Sequence, residues 1–313
     1  MKRKAGLGVA AMAALLLGGC SAVATDSTGI IRGDIAVERL ALLPEAVLET
    51  SGLARIDGQL WTINDSGNEA ALYQLSASGD ALSRTLYLAG ARNIDWEALA
   101  ADDEQLYVAD CGNNRGRRTQ LDLYRVARTE LGARDGSRID SRRMQFRYGD
   151  RTEVTASDSH NYDCEALTVV DGSLWMFSKN RGDGRSSLYR LDPSLSEQAV
   201  FPEASYPVDG LVTGADFDPV GRQLALVGYS RERLPGYSFL WLVPVPGELP
   251  DWSAARRYRL GVYAQWEAVS WDGPRRLVLS AERSALSDTM LGEIRLDEEG
   301  RPPPARQATR DLW

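Results

Sequence analysis

One short phrase recurs five times along this chain. The copies are Ser51-Gly52-Leu53-Ala54, Glu97-Ala98-Leu99-Ala100, Glu165-Ala166-Leu167-Thr168, Thr213-Gly214-Ala215-Asp216 and Glu267-Ala268-Val269-Ser270. Successive copies stand 46, 68, 48 and 54 residues apart, with no long run of helical periodicity between them. Self-similarity near a 50-residue period, built from strands, is the mark of a β-propeller. In that architecture the first strand of every blade lines the central axis. Ser51, Glu97, Glu165, Thr213 and Glu267 are therefore expected to converge on one channel. Three carboxylates and two hydroxyls in a narrow channel require a cation, or protons, between them.

The residues between the copies read as blades. A turn and a second strand follow each phrase, as at Gln59-Leu60-Trp61-Thr62-Ile63 and Ser173-Leu174-Trp175-Met176-Phe177. The joining turns carry Asp57-Gly58, Asp171-Gly172 and Asp272-Gly273, which suit tight hairpins. Third strands recur around Leu72-Tyr73, Leu123-Tyr124, Leu188-Tyr189, Leu240-Trp241 and Gly292-Glu293. Fourth strands are expected at 84–88, 143–147, about 198–207 and 257–260. The fifth phrase has no fourth strand after it, because residues 301–304 read Arg-Pro-Pro-Pro. The segment Val37–Leu43 has the missing strand's character and is expected to close the last blade. The fold expected is all-β, a five-bladed propeller. A six-bladed ring would need a blade hidden in residues 128–160 of the longest step. Eight Trp, twelve Tyr and 29 Gly suit such a β-rich chain.

The first 19 residues read as a signal: Lys2, Arg3 and Lys4, then an apolar run from Ala5 to Leu17 too short for a permanent span. Leu17-Gly18-Gly19-Cys20 resembles the lipobox of bacterial lipoproteins. The resemblance implies cleavage before Cys20, lipid on its thiol and amino group, and, with Ser21 next, the periplasmic face of the outer membrane. A plain secretory signal is the other reading. Residues 20–31 read as a lipidated tether, and 32–313 as one propeller domain. The chain carries 44 acidic against 36 basic side chains. That balance argues against nucleic acid and anionic membrane surfaces as partners, leaving a small ligand or an envelope protein. The domain is expected to be a monomer.

Second strands end at matched positions: Asp65, Cys111, Lys179, Tyr229 and Glu282. The loops beyond them open on the face where first strands begin. Asn64, Asn113, Arg115, Lys179, Asn180 and Arg283 are candidate ligand-binding residues at that mouth. Oxygen donors without His or thiolate favour a hard cation, so Ser51, Glu97, Glu165, Thr213 and Glu267 are a candidate calcium set. The alternative is that these acids satisfy buried backbone and water as structural groups. Cys111 and Cys164 fall on the same face of adjacent blades; they are expected either to form a disulfide or to be two buried thiols. His160 is the lone histidine, with no Gly-x-Ser-x-Gly elbow to recruit it.

Two resemblances follow from these residues. Asn64-Asp65-Ser66-Gly67, Asp95-Trp96-Glu97-Ala98-Leu99, Asp110-Cys111-Gly112-Asn113-Asn114 and Asp163-Cys164-Glu165-Ala166-Leu167 look like phrases of a family of secreted bacterial propeller proteins, mostly without assigned function. More distantly, the five-part ring resembles the soluble calcium-activated nucleotidases (apyrases), five-bladed propellers whose calcium is held by a Ser, Glu, Glu, Ser, Glu series. That resemblance implies calcium in the channel and, more weakly, diphosphate hydrolysis. The nucleotidase Asp-Asp-Arg-Thr-Gly is here Asn64-Asp65-Ser66-Gly67, without its arginine, so the architecture carries over better than the reaction. The function expected is a calcium-holding envelope lipoprotein that binds a ligand or partner at its channel mouth. The alternative is a calcium-dependent hydrolase of phosphate or other esters in which Asp65, Glu282 or His160 handles protons.

Overall fold

The computed structural model describes residues 30–304 except 155, 232–235 and 286. The expected signal, Cys20 and most of the expected tether lie outside the described residues. The chain starts with β1 (Ile30–Ile35) and β2 (Glu38–Leu42). Blade one follows as β3 (Thr50–Ile56), β4 (Gln59–Asn64), β5 (Ala71–Leu75) and β6 (Leu82–Leu88). Then come β7 (Trp96–Ala101), β8 (Gln105–Asp110), β9 (Leu121–Ala127), β10 (Arg138–Ile139) and β11 (Arg142–Tyr148). Blade three comprises β12 (Cys164–Val170), β13 (Ser173–Ser178) and β14 (Ser186–Leu191), completed beyond β15 (Glu197–Val200) by β16 (Pro202–Tyr206). The chain ends with β17 (Leu211–Asp218), β18 (Gln223–Tyr229), β19 (Ser238–Pro244) and β20 (Arg256–Leu260), then β21 (Gln265–Trp271), β22 (Arg276–Glu282) and β23 (Met290–Arg295).

Five separate sheets form a five-bladed propeller. The inner strands β3, β7, β12, β17 and β21 pack side by side, and β21 packs back on β3. Strand β2 pairs antiparallel with β23, Glu38 opposite Glu293 and Leu42 opposite Met290, so an N-terminal strand closes the last blade. Among the described residues, the long step that carries blade two contains no sixth blade. It holds a 3-10 turn at Arg128–Gly132, the short β10 and the fourth strand β11.

Two details depart from the expectation. Residues 198–207 are not one strand. Strand β15 adds to β11 of blade two in parallel, and β16 pairs with β14 of blade three. Pro202 stands at the break; lacking an N–H, it suits a strand start better than a strand interior. Strands β10 and β1 likewise add as parallel outer strands to β6 and β20. Three blades therefore carry five strands and two carry four.

Between the blades lie apolar layers centred on large side chains. Trp61, Trp96 and Trp266 are each at most 1% exposed. The hairpin turns use the left-handed region where the sequence placed Asp-Gly, with φ of 50° at Asp57 and 77° at Gly58. Neighbouring inner strands approach closely. A Cβ on Gly52 would lie 2.6 Å from the Leu99 nitrogen, and one on Gly214 would lie 2.8 Å from the Ala268 Cα. A cavity of only about 10 Å³ remains beside Leu53, Leu99 and Leu167.

Candidate metal centre and channel mouth

The repeated phrase is a repeated β-bulge. Pairing between first and second strands slips at the ring residue in all five blades: between Thr50 and Gly52, Trp96 and Ala98, Cys164 and Ala166, Val212 and Gly214, and Trp266 and Ala268. A bulge puts two residues opposite one and re-aims a side chain. The two kinds of ring residue then part company. The Ser51 hydroxyl donates to the Trp96 carbonyl at 2.7 Å, and the Thr213 hydroxyl to the Trp266 carbonyl at 2.6 Å. These hydroxyls tie neighbouring blades together. The glutamates are equally buried, at 6%, 2% and 8% exposure for Glu97, Glu165 and Glu267, but carry carboxylates.

Glu165 has its own cation. The Lys179 ammonium donates to Glu165 Oε2 at 2.8 Å, and Arg181 Nη2 stands 3.9 Å from Oε1. The ammonium also lies 5.4 Å from the centre of the Tyr229 ring. Burial pulls the Lys179 pKa down, but Glu165, Tyr229 and Glu267 outweigh it and hold the group well above its ordinary value. A tethered ammonium therefore serves the Glu165 side of the ring.

Glu97 falls into a different group. Its carboxylate gathers with those of Asp65 and Asp95, the three offering oxygens all within 4.8 Å of one another. Asp65 arrives on the loop after β4, Asp95 on the segment entering β7. Gly112 closes the back: its N–H donates to the Asp95 carbonyl at 3.0 Å, and a Cβ there would overlap Glu97 Oε1 and Asp95 Oδ2. Burial pushes Asp95 up to about 7, helped by Asp65 and Asp163. Burial also pushes Glu97 well above the carboxylate range, with Glu165, Asp65 and Asp95 adding to it. Asp65 is raised by burial too, against the Ser66 N–H that donates to it.

The Cys111–Cys164 disulfide, S–S 2.06 Å, joins blades two and three directly beneath this cluster. Cys111 precedes Gly112, and Cys164 lies between Asp163 and Glu165. Asp163 is fully buried; it accepts from the Asn113 N–H at 2.7 Å and from Arg181 Nε at 3.2 Å.

The other expected site residues scatter. Asn113 staples its own loop, its Nδ2 donating to the Tyr162 carbonyl at 3.0 Å and its Oδ1 accepting from the Arg118 N–H at 2.8 Å. Asn180 is 1% exposed and accepts from the Ser178 hydroxyl at 2.5 Å. Asn64 donates to the Ala46 carbonyl at 2.8 Å, while its Oδ1 is buried without a partner. Arg115 and Arg283 are exposed on the rim. His160 braces a loop: Nδ1 accepts from the Tyr162 N–H at 3.0 Å, which leaves the proton on Nε2, 3.3 Å from the Asn114 carbonyl. Glu282 accepts from Gln265 Nε2 at 2.6 Å, and burial, then Glu267 and Asp65, raise it to about 8.

Sequence reasoning missed Asp95 as a partner of Glu97, although both stand in one quoted phrase. It also missed a cavity of about 620 Å³ above blades three to five, lined by Arg181, Leu211, Tyr229, Arg231, Tyr263 and Gln265 among others. Only the ends of β17, β18 and β21, brought together by the ring, reveal it.

No family model matches the chain, and no curated protein matches it. Solved structures do. An exo-β-1,3-galactanase from Phanerochaete chrysosporium, solved with β-1,3-galactotriose, superposes with a TM-score of 0.52 at 9% identity, over 86% of this chain and 66% of that one. A glycoside hydrolase gives 0.47 at 13% identity, over 85% and 63%. A gluconolactonase from Xanthomonas campestris gives 0.41 at 15% identity, over 78% and 71%. The likeness to the galactanase is one of fold, in line with the five-bladed propeller described above.

Proposed function

We propose that this chain is an exported, lipid-anchored propeller that holds one calcium ion at its upper mouth, on Asp65, Asp95 and Glu97, and binds a ligand or envelope partner there. The observation that carries the reading is the Asp65–Asp95–Glu97 cluster, whose oxygens crowd within 4.8 Å while the ammonium of Lys179 is committed to Glu165. Ionised carboxylates at that spacing repel one another, and burial sharpens the repulsion. A divalent cation relieves it. All donors are oxygens on loop and strand ends, which suits calcium's flexible coordination better than zinc's tetrahedral nitrogen and sulfur set. The cation would tie the loop after β4 of blade one to the segment entering β7 of blade two and offer open coordination positions to an oxygen of the ligand. Anchoring through Cys20 rests on the lipobox, outside the described residues.

Equilibrium dialysis against calcium tests this. The expected result is one ion per chain at about 1 mM, a level that fills extracytoplasmic sites. Binding is lost in Asp95→Asn and kept in Thr213→Val, whose hydroxyl bonds a carbonyl. No bound calcium in the native chain overturns the proposal.

A second reading, a calcium-dependent ester hydrolase, is favoured by one observation. Glu282, raised to about 8, is a protonated acid at neutral pH beside Gln265 of the large cavity. With both His160 nitrogens engaged on backbone, Glu282 and Asp65 are the candidates for proton transfer.

A further inference from the structure

The 620 Å³ cavity lies on the opposite side of the mouth from the acidic cluster, over blades three to five. Its volume is in the range of sites that enclose a small organic ligand. Its lining narrows the chemistry of that ligand by charge, by hydrogen-bonding capacity and by shape.

Charge comes first. Two guanidinium groups, Arg181 and Arg231, line the cavity, which would suggest an anion. Arg181 is already neutralised, with Nε on buried Asp163 at 3.2 Å and Nη2 at 3.9 Å from Glu165. Asp158 lines the same cavity as Arg231. Glu282 stands directly behind Gln265, and Glu267 packs behind Tyr229. With Asp158 offsetting Arg231, no surplus of positive charge is left for a carboxylate or phosphate. An apolar ligand fails for another reason: it would strip water from two guanidinium groups and an amide without replacing those hydrogen bonds.

Hydrogen-bonding capacity and shape come next. Gln265 spends Nε2 on Glu282 at 2.6 Å, which turns its carbonyl oxygen into an acceptor for a ligand hydroxyl. Arg231 donates through Nη2 to the Arg181 carbonyl at 2.8 Å, which fixes the guanidinium plane against the wall. Tyr229 and Tyr263 supply flat apolar faces with polar tips. Leu211 adds apolar surface between them. The wall thus alternates donors, acceptors and flat apolar faces, which complements a ring compound carrying hydroxyls on its edge and C–H groups on its faces.

We infer that this cavity binds a neutral carbohydrate, held by Gln265, Arg181 and Arg231 through its hydroxyls and by Tyr229 and Tyr263 through its ring faces. The inference rests on the upper mouth being a ligand site, and it holds whether or not calcium occupies the neighbouring cluster.

Saturation-transfer NMR on the full chain, with lactose, cellobiose and N,N′-diacetylchitobiose each at about 10 mM, tests it. Weak sugar sites with Kd near 1 mM, about −4 kcal/mol, are well populated at that level. The expected result is transfer to at least one of the neutral disaccharides and loss of that signal in Gln265→Ala and Tyr263→Ala. Both variants should keep the native response of melting temperature to calcium, which reports the metal cluster separately and confirms folding. Absence of transfer to all three sugars overturns the inference. So does a signal that survives both substitutions, or transfer confined to galacturonate run as a comparison probe.

Discussion

Asp216 shows how much burial alone raises an individual carboxyl. It ends the fourth copy of the phrase at the lower mouth, where Arg55 and Asp218 line the same cavity of about 240 Å³. The backbone N–H groups of Trp271 and Phe217 donate to it at 2.7 and 2.9 Å, yet burial still lifts it to about 6. A raised carboxyl binds its proton more tightly in the folded chain than in the unfolded one. Stability therefore falls as pH rises from about 4 to about 6, and is recovered in the acid direction. A gap of about two pKa units corresponds to roughly 3 kcal/mol at most. Urea unfolding of the native chain and Asp216→Asn across this window should show the native chain gaining on the variant as pH drops. A constant difference would contradict the assignment. At this scale the sequence was partly legible. Glu97 stood out by its repeat position, but its partners did not, because Asp65 reaches it from another blade and Lys179 was committed elsewhere.

At the scale of elements, the bulge explains why a four-residue phrase recurs at all. Each copy re-aims one side chain and is followed by Gly or Ala, because the next blade's inner strand passes close by: at Gly52 there is no space for a methyl group beside Leu99. The pattern was visible in the sequence, while its meaning as a bulge was not, since the slip appears only when partner strands are in register. The same holds for β15 and β16, whose split depends on which neighbouring blade offers an unpaired edge. Between blades two and three the Cys111–Cys164 bond closes a separation of 53 residues. The chain-entropy relation gives about 4 kcal/mol for such a loop. The Cys111→Ala/Cys164→Ala double variant is expected to lose roughly that much in urea unfolding. It should also bind calcium more weakly, since Gly112 is then held against Glu97 and Asp95 by hydrogen bonding alone. Unchanged calcium affinity would separate the disulfide from the cluster and leave it a purely structural clasp.

The whole molecule is a ring whose closure is borne by a strand distant in sequence. The period, the turn chemistry and the proline run at 302–304 made five blades and an N-terminal closing strand readable in the sequence. The outer parallel strands were not readable, because short polar segments such as Arg138–Ile139 carry no periodic signal. Removing residues through Leu42 would expose the full edge of β23, from Met290 to Arg295. An open edge of that length invites pairing between molecules. The truncated chain is expected to elute beyond the monomer in size exclusion and to melt without cooperativity; native elution and melting would show that β2 is dispensable.

The central claim is that Asp65, Asp95 and Glu97 form a cation site rather than a set of structural acids. Thermal melting of the native chain and Glu97→Gln, in chelator and in about 1 mM calcium, tests it most directly. With a Kd near 0.1 mM, mass action gives about 1.4 kcal/mol, or a rise of about 3 °C in Tm for a domain of this size. The rise is expected in the native chain and not in Glu97→Gln, which loses an anionic donor to the cation. No rise in the native chain, or an equal rise in both proteins, would contradict the claim.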